Sequence, residues 1–104
     1  MAAMETSDKL VILKQDLQML TDDSDAYLTT LLSEAESNIA IEGITDDESM
    51  AYNMVVIHYA AYLFRKRGAD NTETAMPRFL RYDLNNLLFS QKAKEPEDGN
   101  GDDI

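Results

Sequence analysis

The run Met50-Ala51-Tyr52-Asn53-Met54-Val55-Val56-Ile57-His58-Tyr59-Ala60-Ala61-Tyr62-Leu63-Phe64 decides the fold, because only Asn53 and His58 in it are clearly polar. At the helical rotation per residue, Met50, Met54, Ile57, Ala61 and Phe64 line one face, while Tyr52, Val56, Tyr59 and Leu63 line the opposite one. A helix that is apolar all round must be covered on several sides, so the spacing predicts a central helix with others packed about it. Thr45-Asp46-Asp47-Glu48 just before it has the spacing of a capping box, in which threonine and glutamate side chains each satisfy a free backbone donor. The helix is expected to start there. Arg65-Lys66-Arg67-Gly68 close it, with cations beside the negative end of the helix dipole and a glycine able to turn left-handed.

Towards the N-terminus the same periodicity predicts two further helices. The first starts at Ser7 or Asp8, either a suitable cap, carries Leu10, Leu13, Leu17 and Leu20 on one side, and stops at Thr21-Asp22-Asp23-Ser24. The second runs from about Asp25 to Glu42, buries Leu28, Leu31, Leu32, Ala35 and Ile39, and ends at Gly43. Together they form a helical hairpin. Beyond the central helix, the segment from Ala69 to Ala75 reads as a loop and Pro77 as a residue of the first turn of a fourth helix. The fold class expected is all-α: a compact bundle of about four helices over residues 1–92, followed by a disordered acidic tail over residues 93–104. That tail lacks an apolar stripe and is rich in acids, Gly and Pro.

The fourth helix carries more than a core needs. Leu80, Leu84, Leu87 and Leu88 form one stripe, Arg78, Arg81, Asn85 and Lys92 a second, and Phe79, Tyr82, Asn86 and Phe89 a third. A surface helix of a monomer requires only the first. Aromatic rings beside arginines are the composition of protein–protein contacts, where they bury large area at small entropic cost. The candidate interface is therefore Arg78, Phe79, Arg81, Tyr82, Asn85, Phe89 and Lys92.

Charge is distributed unevenly along the chain. Residues 1–64 hold two lysines against twelve acids, residues 65–94 seven basic groups against three acids, and residues 95–104 five acids, for a net charge of −11. Such a surface repels phosphates, which speaks against tight sequence-independent DNA binding. The length of 104 residues suits one domain with a core of its own, and with no cysteine there can be no disulfide framework, thiolate metal site or cysteine nucleophile. No basic-then-apolar leader and no apolar run of about 20 residues is seen, so a soluble, intracellularly made protein without membrane contact is expected.

Candidate chemistry is sparse. Counted from Asp23, a calcium loop would need glycine where Leu28 stands, although Glu34 fits its twelfth position; capping and the helix dipole account for the acids of Asp22-Asp23-Ser24-Asp25. His58 is the single histidine and reads as a hydrogen-bonded core or interface residue. No serine sits in a nucleophile elbow and the four glycines are too scattered for a phosphate loop. Neither catalysis nor a metal or cofactor site is expected.

Several segments resemble one family. They are Leu13-Lys14-Gln15-Asp16-Leu17, the acidic turn leading to Asp25 with Leu28, Leu32, Ala35 and Ile39, Tyr62-Leu63-Phe64-Arg65-Lys66-Arg67-Gly68, Met76-Pro77-Arg78-Phe79-Leu80, and above all Tyr82-Asp83-Leu84-Asn85-Asn86-Leu87-Leu88-Phe89-Ser90-Gln91-Lys92. In these the chain resembles the small helical head-tail connector proteins of tailed bacteriophages, also called adaptor or head-completion proteins. The resemblance implies a non-catalytic virion subunit, assembled in the bacterial host cytoplasm into a ring of about a dozen copies in the neck. Its implied partners are the portal protein of the DNA-filled head, neighbouring copies of itself, and the next neck or tail-completion protein, with DNA passing through an axial opening without specific binding. The alternative is an acidic DNA mimic that inhibits a host DNA-binding or defence protein, for which the net charge is the warrant. A helix-turn-helix DNA binder is disfavoured because the second and third helices carry almost no basic residues before Arg65.

Overall fold

The computed structural model describes residues 4–67 and 76–94, with the side chains of Arg67 and Lys94 excepted. These residues form four helices, α1 (Thr6–Leu17), α2 (Asp25–Ile41), α3 (Met50–Arg67) and α4 (Arg78–Lys94), and no strand. The all-α architecture follows the apolar spacing, and α3 is the centre of it: α1, α2 and α4 all pack on α3, while α1 also packs on α2. Tyr52, Val55, Val56, Ile57, Ala60 and Ala61 are buried there against Leu13, Leu28, Leu32, Ile39, Leu80 and Leu84. Each fully buried leucine contributes about 1.5–3 kcal/mol relative to exposure.

Side-chain pairs give the helix directions. Arg65 near the end of α3 bonds Asp16 near the end of α1 at 3.2 Å, so these two helices run parallel. Tyr27, early in α2, lies 6.4 Å from Phe64, late in α3, and Phe79, early in α4, lies 5.5 Å from His58, so α2 and α4 run antiparallel to α3. An up-down-up-down order results.

The helix ends correct the sequence reading in five places, beginning with α1, which starts at Thr6 after Glu5 with no side-chain cap and not at a Ser7 or Asp8 cap. α1 stops at Leu17 because Gln18 turns left-handed at φ 59°; the Gln18 and Met19 N–H groups then bond the Gln15 and Lys14 carbonyls at 3.1 and 2.9 Å. This break throws Leu20 out of the stripe expected of it, and Leu20 is 96% exposed. α2 ends in the same motif with the expected glycine. Gly43 sits at φ 97°, the Gly43 and Ile44 N–H groups bond the Ala40 and Ile39 carbonyls, and buried Ile44 supplies the apolar contact that accompanies such an ending.

The start of α3 is set by Ser49 and not by a Thr45–Glu48 box. Ser49 Oγ accepts the Tyr52 N–H at 3.0 Å, and Asp47 in turn accepts the Ser49 N–H and hydroxyl at 3.1 and 2.6 Å. Glu48 is left-handed at φ 62° and its N–H bonds Asp46 Oδ1 at 2.9 Å, so the glutamate cannot reach back to Thr45. Pro77 precedes α4 by one residue, and its carbonyl accepts the Leu80 and Arg81 N–H groups at 3.1 and 3.2 Å. α4 continues through Lys94, two residues past the expected domain boundary. The expected loop from Ala69 to Ala75, the glycine stop at Gly68 and the tail beyond Lys94 lie outside the described residues.

Candidate functional site

α4 presents its three stripes as the spacing demands. Leu80, Leu84 and Leu87 are buried and Leu88 is half-buried, so most of the leucine face is occupied by the rest of the fold. The opposite side is not. Phe79, Tyr82 and Phe89 are 53%, 67% and 65% exposed, and Arg78, Asn85, Asn86 and Lys92 are exposed around them. Phe79 leans its ring edge-on to His58, which is half-buried on α3 with its Nδ1 covered and unbonded among the described residues. Tyr82 and Phe89 carry no such ring contact among the described residues.

Between α3 and α4 the surface sinks into a groove of about 360 Å³ lined by Ala51, Met54, Val55, Asp83, Asn86, Leu87 and Ser90. The groove runs along the flank of α4 next to the aromatic stripe. It adds a mostly apolar wall to the exposed rings.

Arg81 stands apart from the other candidate residues. Its guanidinium donates from both terminal nitrogens to both carboxylate oxygens of Glu42, at 3.0 Å each, and so ties α4 to the end of α2. This bidentate pair holds the Glu42 carboxyl below its ordinary range and raises Arg81 further, with partial burial opposing both shifts. The neighbouring Tyr59 hydroxyl is pushed up by burial and by the Glu42 charge. Arg81 is thus committed within the chain, whereas Arg78 and Lys92 have no acidic partner among the described residues.

A second tie, invisible to periodicity, fixes the far end of α4. Gln91 donates its side-chain amide to the Thr45 carbonyl at 2.7 Å and accepts the Thr45 N–H at 2.9 Å, with the Thr45 hydroxyl adding 3.2 Å to the same oxygen. The side-chain amide here plays the part of a backbone peptide. Nothing in the local sequence marks Gln91 for it.

The remaining clusters resolve into local electrostatics. Asp22 and Asp25, the acids of the calcium reading, hold the Lys14 ammonium at 2.7 and 2.9 Å, and Asp22 is kept below its usual range by that bond. Arg65 bonds Asp16, and Lys66 Nζ lies 5.8 Å over the Tyr62 ring, so both of these cations serve the fold. Among the described residues no group of three or more His, Cys, Asp or Glu could hold a metal ion, and no helix is long and apolar enough to cross a membrane.

Neither the family models, the curated proteins nor the solved structures contain a match to this chain. The surface that stands out on the chain's own chemistry is the outer face of α4, three half-to-two-thirds exposed rings between two cations with no acidic partner among the described residues. Lys9 is the residue that sequence reasoning missed most completely. It is buried in α1, where its ammonium meets Glu36 of α2 at 2.8 Å.

Proposed function

We propose that this chain is a structural subunit of the neck of a tailed bacteriophage or prophage particle, one copy in a ring that joins the portal vertex of the filled head to the tail. One observation carries the reading: α4 has already buried most of its leucine face, yet exposes Phe79, Tyr82 and Phe89 beside Arg78 and Lys92. An interaction protein needs such a face, and a free-standing monomer does not. The same helix holds the segment from Tyr82 to Lys92 in which the sequence most resembles head-tail connector proteins. In this reading the subunit performs no reaction; it contacts its neighbours, the portal protein and the next neck or tail-completion protein, and leaves a passage for DNA.

The competing reading, an acidic DNA mimic, draws on the net charge of −11. A mimic must offer rows of free carboxylates to a basic groove. Here Asp16, Asp22, Asp25, Glu36 and Glu42 each face a cation of the same chain, which weakens that offer.

The test is electron microscopy of particles from the source phage or prophage carrying an early stop codon in this gene. Separate tails beside heads that packaged and lost their DNA are expected. Complete tailed particles would defeat the proposal.

A further inference from the structure

We infer that the outer face of α4 seats on the acidic α1–α2 face of a second copy of this chain, head to tail; the inference rests on the ring reading above and names the surfaces that make the ring. Charge decides the pairing. The only basic residues before Arg65 are Lys9 and Lys14, and both are neutralised internally, Lys9 by Glu36 and Lys14 by Asp22 and Asp25. What the hairpin offers outward is therefore negative, from exposed Glu5, Asp8 and Asp23, with exposed Val11 and Leu20 as apolar contacts, whereas Glu34 turns to the other flank of α2 beside Leu63 and Lys66. The outer face of α4 is its complement, carrying Arg78 and Lys92 without acidic partners among the described residues, and three rings.

Position excludes the two faces from meeting within one copy. α1 packs on α2 and α3, whereas α4 packs on α3 and is tied by Arg81 and Gln91 to Glu42 and Thr45. The complementary patches thus occupy different flanks of the central helix. Two unlike patches on separate flanks make a heterologous contact, the kind that closes into a ring when the rotation allows.

Size sets the strength. A helix of 17 residues is about 25 Å long and about 10 Å wide, so its outer face covers roughly 250 Å². That is well short of the roughly 800 Å² per partner of a stable complex. One contact alone is weak, and cross-linking is the suitable probe.

The chain has no cysteine, so introduced thiols are the only ones present. Single variants Val11→Cys, Leu20→Cys and Tyr82→Cys, and the doubles Val11→Cys/Tyr82→Cys and Leu20→Cys/Tyr82→Cys, are oxidised at high protein concentration after circular dichroism has shown native helicity. At least one double variant is expected to give a disulfide ladder of dimers, trimers and higher species, while the singles stay monomeric. Adding Arg78→Glu/Lys92→Glu to that double variant should reduce the ladder at least tenfold. Dimers from Tyr82→Cys alone would show α4 meeting α4 and overturn the inference, as would monomers from both doubles.

Failure of the connector reading shows separately, in the stop-codon particles. If those particles lack tails but no ladder forms, and Arg78→Glu/Lys92→Glu abolishes binding to the portal protein, the α4 face belongs to the portal and the pairing between copies is wrong while the connector role stands.

Discussion

Removing Glu36 should destabilise this protein more than removing the lysine it binds. The Lys9 side chain is 6% exposed and the Glu36 side chain 39%, with 2.8 Å between Nζ and Oε2, so the two partners of this ion pair are unequally dependent on each other. Glu36→Ala leaves an ammonium enclosed between α1 and α2 with no other acceptor among the described residues. Breaking a fully buried pair in this way costs about 3–5 kcal/mol; because water reaches the carboxylate side, about 1–3 kcal/mol is the discounted figure. For a domain of this size that lowers Tm by roughly 5–15 °C. Lys9→Met instead replaces the buried ammonium by an apolar chain of similar volume and leaves the half-exposed carboxylate to water, with a cost within about 1 kcal/mol of zero. The double variant should therefore recover most of the Glu36→Ala loss. Urea unfolding of all four proteins, followed by helical circular dichroism, measures these values directly. A Lys9→Met cost equal to or above that of Glu36→Ala would refute the reasoning, since it would mean that the pair contributes net stability and not merely mutual compensation.

Three further outcomes are expected. Ser49→Ala removes the cap that accepts the Tyr52 N–H and should cost about 1 kcal/mol in the same urea assay, whereas Thr45→Ser, which keeps the hydroxyl and the backbone bonds to Gln91, should be nearly neutral. Gly43→Ala should cost about 1 kcal/mol through backbone strain at φ 97° and not through crowding, because an added Cβ would meet Leu88 Cδ1 at an ordinary 3.7 Å. Acid should loosen the fold through depressed carboxyls: Glu42, Asp47 and Asp22 all have folded pKa values below their ordinary ones, so their stabilisation is present above those ordinary values and is lost as pH falls through the folded values. Tm measured against pH should hold steady from pH 7 to 5 and fall below about pH 4, with a shallower fall in Arg81→Met. At the alkaline end the sign reverses. Burial pushes Tyr52 up to about 12, so its contribution is present below its unfolded value near 10 and is lost as pH rises towards 12; Tyr52→Phe should flatten that limb.

How much of this was legible in the sequence depended on whether the determinant was local. The all-round apolar run from Met50 to Phe64 announced the central helix, and the three stripes of α4 came out on the sides their spacing assigns. The left-handed Gly43 was also readable, since glycine after an apolar stripe is the usual end of a helix. The start of α3 was not. Thr45 and Glu48 have capping-box spacing, but Thr45 is claimed by Gln91, 46 residues away in sequence, and Ser49 caps in its place. The other two misses have different origins, one local and one distant. Periodicity assigned Leu20 to the core because it cannot register a non-glycine residue turning left-handed at Gln18, and it offered no sign of the buried Lys9 because the enclosing carboxylate sits on another helix. Among the described residues, Arg81 is the one member of the candidate interface with a bidentate partner in the chain, and Glu42 carries no sequence mark that singles it out.

The two polar ties that hold α4, Arg81 to Glu42 and Gln91 to Thr45, reach a stretch of only four residues, 42–45, from points ten residues apart on the helix. Two fixed points along a rod set its azimuth as well as its height. In a closed ring of about twelve copies each subunit must turn by about 30° from the last, and a thirteenth copy changes that angle by only about 2°. On the ring reading, the copy number is a matter of wedge angle, and the wedge is cut where a glutamine side chain and an arginine side chain bolt the last helix to the turn between α2 and α3.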